Sequence, residues 1–217
     1  MTTLYILFTS ISIVTIGLFY YAVNKHNGVL IFLVIWTLAI SLLGYNGFFE
    51  ETMSMPPRIA LIIIPVILYV IYFYRKLSSI EINLNLLSAL HAIRLPVEIG
   101  LFYFYVLGKI PVAMTYEGWN FDIFMGISSI LLLAYIGIFK KSVNIKLLYY
   151  WNILGLVLLS IIVVTAVISA PTPFQLINFE HPNLAIKGMP FLLLPIVIVP
   201  VVVLSHLLAL RKLKASF

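Results

Sequence analysis

His91, Arg94 and Glu98 follow one another at spacings of three and four residues within a long apolar stretch. A helix advancing about 100° per residue places His91 and Glu98 about 20° apart and Arg94 about 60° from His91. An imidazole that exchanges protons, a guanidinium that stabilises negative charge and a carboxylate that accepts hydrogen bonds or holds a cation then share one helix face. Ser88, Glu81 and Asn85 widen that face towards the amino-terminal side. His91 and Glu98 are separated by about 10.5 Å along the axis at 1.5 Å per residue, which suits a polar track and excludes a tight two-residue chelate.

Arginine at the centre of a membrane helix costs about 2.5–3.5 kcal/mol on insertion scales, so a retained one marks either a ligand site or an internal ion pair. Glu98, four residues on, is the expected partner of Arg94. Pro96 cannot donate to the carbonyl of Ala92, which predicts a kink between the two charges and a carbonyl free for another partner.

A second constellation is Thr115, Tyr116, Glu117, Gly118, Trp119, Asn120 and Asp122. Asn120 is expected to cap a helix beginning at Phe121, with Asp122 in its first turn, where negative charge is favoured. Glu117 is not needed for the cap and is expected at the mouth of a polar cavity. Asn46 and Glu50, four apart, share a face if the second helix reaches them, and Asp122 and Ser129 repeat at seven residues. Together His91, Arg94, Glu98, Asn46, Glu50, Glu117 and Asp122 are the expected ligand-binding or polar-core residues.

Other chemistries find little support. Glu50, Glu51, Glu180 and His181 are spread over separate connections, a weak metal signal, and no cofactor is indicated. His26 and His206, expected near one another at the cytoplasmic end, do not specify a metal, and His206 is expected to pack or sit at the interface. There is no cysteine, no HExxH helix, no glycine-rich phosphate loop and no nucleophile elbow. No lysine lies inside an apolar span to carry a retinal Schiff base.

The elements that must position these residues follow from composition. Of 217 residues, 63% are apolar and 9% charged, with a mean hydropathy of +1.16. A soluble domain of this size needs a far more polar surface. Seven apolar stretches approach the roughly 20 residues that cross a hydrocarbon layer about 30 Å thick: Leu4 to Tyr21, Val29 to Phe48, Ile59 to Tyr74, Leu84 to Leu107, Phe121 to Phe139, Leu147 to Ser169 and Pro190 to Leu210. The expected fold is a single all-α domain over residues 1–217, an integral membrane bundle of seven helices. The first stretch reads as a retained helix, since no lysine or arginine precedes it.

Orientation follows from the basic residues. With the amino terminus outside, Lys25, Arg75, Lys76, Lys140, Lys141, Lys146, Arg211, Lys212 and Lys214 are cytoplasmic, against Arg58, Lys109 and Lys187 outside. This points to a bacterial cytoplasmic membrane. The net charge of +6 is scattered among apolar helices, which argues for anionic headgroups and against nucleic acid as its partner. Tyr20, Tyr21, Tyr72, Tyr74, Tyr149 and Trp151 fit a cytoplasmic aromatic belt, and Phe48 and Trp119 an outer one. Pro65, Pro195 and Pro200 are expected to bend helices or free carbonyls. The connection from about Ala170 to Met189, punctuated by Pro171, Pro173 and Pro182, is expected as an outer cap or lid.

In topology alone the chain resembles seven-helix receptors and small sugar transporters, with no residue motif behind the likeness. Three functions fit: binding or transport of a small polar or anionic solute through a cavity centred on helix four; an intramembrane enzyme acting on a lipid or lipid-linked substrate; and a membrane sensor or assembly factor. Membrane lipids are the expected partners, with no protein partner specified.

Overall fold

In a computed structural model, which describes residues 1–140 and 143–215, the chain is all-helical. Lys141, counted above among the cytoplasmic charges, lies outside the described residues. Among the described residues seven helices follow in order: α1 (Thr2–Ala22), α2 (Asn27–Tyr45), α3 (Ala60–Lys76), α4 (Leu84–Val106), α5 (Ile123–Phe139), α6 (Ile145–Ile168) and α7 (Leu194–Lys214). Six of them, α5 excepted and α3 counted with the 3-10 turn that carries it on to Ser79, are long and apolar enough to cross a membrane. Their outward faces are aliphatic, as at Ile31, Ile35, Leu38 and Leu42 on α2 or Leu154, Val157 and Val164 on α6. Contiguous exposed apolar surface of this extent suits lipid rather than water.

Local chemistry sets the helix ends. The ring Nδ1 of His26 accepts from the Val29 amide at 3.2 Å and caps α2, while Asn83 and Asn144 cap α4 and α6 through their side-chain oxygens. At the end of α3, Arg211 donates to the carbonyls of Tyr74 and Leu77 at 2.5 and 2.7 Å, a favourable place for a cation beside the carboxyl end of a helix. Lys212 likewise donates to the Ile82 carbonyl at 2.6 Å.

These contacts explain why α7 is displaced from its expected span. The proline-rich stretch before it forms a 3-10 turn (Leu184–Lys187) and further turns, so the helix begins only at Leu194. At the other end it continues through Lys214, because Arg211 and Lys212 have carbonyl partners and Leu213 is buried.

α4 is not α-helical throughout. A 3-10 turn, His91–Ile93, interrupts the helix, and regular α-helix restarts at Arg94. Pro96 is then the third residue of the new segment, and having no N–H it gives the carbonyl of Ala92 no α-helical bond.

Helices α4 and α7 form the centre: more than half of each is buried, against a third or less of α1, α2, α3 and α6. α7 opens with a π-helical turn, Leu194–Ile198. Pro200 has no N–H for the carbonyl of Ile196, four residues back, and that oxygen is taken by Trp36 Nε1 of α2 and Tyr69 Oη of α3, each at 3.0 Å. Phe32 and Phe73 pack edge-on against the Tyr69 ring and against each other. A carbonyl released by proline is thereby the bolt that holds two helices to a third.

Removing one donor leaves Ile196 with the other. Tyr69→Phe and Trp36→Phe are each expected to cost about 0.5–1.5 kcal/mol. The double variant should exceed the sum, since the carbonyl is then buried unsatisfied, and reversible unfolding in bicelles measures the cycle. Strict additivity would contradict the shared-acceptor account.

The connection between α4 and α5 does not lie outside the bundle as a simple loop. It folds inward through a 3-10 turn, Val112–Met114, and buries Ile110, Met114, Thr115 and Asn120. Gly118 permits this self-crossing, because a Cβ there would stand 2.7 Å from the Ala113 Cα. The connection before α7 joins it through a bond from the Ala185 amide to the Lys109 carbonyl at 3.0 Å. Phe174, Leu176 and Phe179 on that second connection point outward and are exposed.

Candidate functional site

The 3-10 turn and Pro96 aim Arg94 at the point where α4, α5, α6 and α7 approach. Its Nε and Nη2 donate to the two carboxylate oxygens of Asp122 at 2.7 and 2.5 Å, a bidentate ion pair. Nη2 also donates to the carbonyl of Gly155 at 3.0 Å, and Nη1 to Nε2 of His206 at 3.2 Å. The expected partner, Glu98, is not the one used. Its Oε2 instead accepts from the Asn120 amide at 2.6 Å, and Asn120 donates as well to the Met114 carbonyl. The reason is geometric, since helical side chains lean towards the amino-terminal end. Arg94 therefore reaches down towards His206, and Asp122, arriving from the start of α5, presents both oxygens to its fork.

Guanidinium has no acceptor, so Nε2 of His206 must be the unprotonated nitrogen. Its Nδ1–H then donates to Asn152 Oδ1 at 2.9 Å, and Asn152 passes its own amide proton to the Leu148 carbonyl at 2.8 Å. One hydrogen-bonded chain runs Asp122, Arg94, His206, Asn152, Leu148. His91 stacks on His206 with centroids 3.9 Å apart and planes 18° from parallel, and Trp151 meets it edge-on at 5.3 Å. Neither ring nitrogen of His91 has a hydrogen-bond partner among the described residues. Gly155 makes room for the stack, because a Cβ there would collide with the His206 ring.

The structure thus joins His91, Arg94, Glu98 and Asp122, all buried, and adds His206, Asn120 and Asn152. The repeat of Asp122 and Ser129 faces α4: Asp122 pairs with Arg94 and Ser129 donates to the Ser88 carbonyl at 2.6 Å. Asn46, Glu50 and Glu117 do not join the cluster. Asn46 and Glu50 lie just beyond the end of α2, and Glu117 is on the inward-folded connection with its side chain outside the buried set. The cap at α5 is also rearranged. Asn120 Oδ1 does accept the Asp122 amide at 3.1 Å, but the helix starts at Ile123 and the Asp122 carboxylate is spent on Arg94. His26 and His206 have separate roles, one capping α2 and the other sitting inside the bundle. Trp151, placed in the aromatic belt by sequence, turns inward and donates to Ser128 Oγ at 3.0 Å. No group of three or more His, Asp or Glu among the described residues is arranged to hold a metal ion.

Beside the cluster lies a cavity of about 480 Å³ between α3 and α6, floored by α7. Ile62, Val66, Val70, Leu159, Val163 and Val202 typify its wall, and Arg94, Glu98 and Asp122 are the charged groups lining it. The rim includes the exposed residues Ile67 of α3 and Val164 and Val167 of α6, so the cavity opens on the flank of the bundle. Its volume lies within the range of small-molecule sites.

A comparison with protein-family models matches residues 53–214, well over half of the chain, to a family described as Domain of unknown function (DUF8737). The chain belongs to this family. The DUF8737 stretch holds every member of the buried cluster and both long walls of the cavity, whereas Asn46, Glu50 and Trp36 precede it. No curated protein and no solved structure matched the chain.

Proposed function

We propose that the chain is an integral membrane protein of one seven-helix domain, amino terminus outside and carboxyl terminus cytoplasmic. Its flank cavity binds an amphipathic, lipid-like molecule, with the polar end at Glu98 and the apolar body between α3 and α6. The observation that carries this reading is the cavity itself: aliphatic along its length, open sideways, and charged at one place.

The topology is supported by the asymmetry of basic residues and by the length of the helices. α5, with 17 residues, covers about 25 Å at 1.5 Å per residue. The inward-folded segment before it supplies the remaining depth, and irregular backbone at that depth is tolerated where protein covers it.

An anionic ligand is disfavoured by the commitments of Arg94, whose donors serve Asp122, His206 and Gly155. Glu98 is the carboxylate left to meet a guest, so the polar end should donate hydrogen bonds or carry positive charge. Dodecylamine is a suitable probe. Val163→Trp, which fills the cavity, and Glu98→Ala are each expected to weaken its binding to protein in nanodiscs by roughly 10–100-fold, the second through loss of about 1.5–3 kcal/mol from a charge-assisted bond. Unchanged calorimetric affinity in Val163→Trp would remove the cavity from consideration.

A second reading, passage of a small polar solute along the bundle, is favoured by the polar chain from Asn120 to Asn152. Flux into proteoliposomes that survives Val163→Trp but not Asn152→Leu would support it over the first.

A further inference from the structure

Arg94 and Asp122 cancel one another's charge in a bidentate pair. Glu98 is a third ionisable group in the same region, 1% exposed and forming no ion pair among the described residues. The surrounding elements offer it little positive charge. On α4 it has Arg94, already paired. From the start of α5 and the segment before it come the Asp122 carboxylate, the neutral Asn120 amide and the Met114 carbonyl. α3 and α7 face the cavity with apolar side chains, and α6 adds only Ser160 to such a wall. His91 and His206 do not line the cavity. An ionised Glu98 would thus leave the region with one uncompensated negative charge in apolar surroundings, which is strongly disfavoured.

We infer that Glu98 holds an exchangeable proton while the cavity is empty and surrenders it when the cationic end of an amphiphile docks, one proton leaving for each cation bound. The inference rests on the reading of the cavity as a ligand site and narrows the ligand to positively charged amphiphiles. The exchange balances without any change in bonding to carbon. The carboxylic acid loses its proton to water, and the carboxylate keeps the ammonium group as its counter-ion. A sodium ion would serve less well, because it needs several oxygen ligands. The carbonyl of Met114 and the Oδ1 of Asn120 already accept N–H groups, and the rest of the wall is almost wholly aliphatic. A proton needs a single oxygen.

Infrared spectroscopy of the protein in nanodiscs at neutral pH tests the first half. A carbonyl band of a protonated carboxylic acid should be present, should vanish in Glu98→Gln, should shift in Glu98→Asp and should be untouched in Glu117→Gln. The second half is read by titrating weakly buffered protein with dodecyltrimethylammonium, a cation that has no proton of its own to lose, in the presence of a pH indicator dye. One proton should be released per cation bound, none with dodecanol, and none from Glu98→Gln. A missing Glu98 band, a band that emerges only when sodium is withdrawn, or cation binding without proton release would each overturn the inference. The cavity reading fails differently, through amphiphile binding that Val163→Trp leaves intact.

Discussion

Arg94→Ala is expected to destabilise the protein by about 3–5 kcal/mol, because it strands the Asp122 carboxylate in the interior. Asp122→Ala should cost a similar amount by stranding the guanidinium. Removing both charges is a different experiment. A variant carrying Arg94→Met and Asp122→Leu replaces the pair by side chains of comparable bulk, and such replacements are often neutral or better for stability. The double variant should therefore unfold close to wild type while either single truncation does not, as measured by denaturation in bicelles. Double-variant losses equal to the sum of the single ones would show that Arg94 is held by its bonds to Gly155 and His206 and not by charge pairing.

The second large effect lies at Gly126, one turn beyond Asp122 on α5. An added Cβ would stand 2.6 Å from the Leu95 amide nitrogen and 3.1 Å from its Cα. These are backbone atoms in the first turn of the restarted α4 segment, so no rotamer change relieves the overlap. α5 would have to back away, drawing Asp122 off Arg94. Gly126→Ala should cost about 1–3 kcal/mol from overpacking, with some of the ion-pair energy in addition. Gly137, on the same helix, provides the control, because a Cβ added there would meet nothing within 4 Å. Alanine at that position should stabilise by up to about 1 kcal/mol through helix propensity. Denaturation in bicelles compares the two variants, and equal responses would refute the close approach of α4 and α5.

The helices are legible in the sequence because apolar runs of membrane length leave few alternatives, and the polar face of α4 is legible because charge in such a run is expensive. The partners are not. Asp122 is 28 residues from Arg94, and rules of local structure reward an aspartate at a helix start without reference to any distant arginine. Those rules give Asn120 the cap and leave Asp122 as a favourable charge in the first turn. What overrides them is the demand of a buried guanidinium for two oxygens in one plane, which Glu98 on the same helix does not meet. Sequence expects His206 to pack or to sit at the interface; it packs, and its depth has a simpler cause. The apolar run of the seventh span ends at Leu210, whereas the helix continues four residues further, to Lys214. That moves His206 inward by about 6 Å at 1.5 Å per residue, from the interface into the bundle. The signal for this extension is Arg211 and Lys212 beside Ala209 and Leu213. Basic side chains with apolar stems can extend a helix past its hydrophobic run.

The bolt at the Ile196 carbonyl bears on the order of biosynthesis. Trp36 and Tyr69 precede their common acceptor by 160 and 127 residues. At about 5–20 residues per second, roughly 6–30 s of translation separate the emergence of these donors from that of the oxygen they bind. Over that interval α2 and α3 carry polar groups with no home in the nascent bundle, and His206, on the same late helix, has yet to reach Arg94. α7 is the latch of the assembly, and a ribosome stalled before it would leave a half-built protein whose earlier helices have nothing to lock onto.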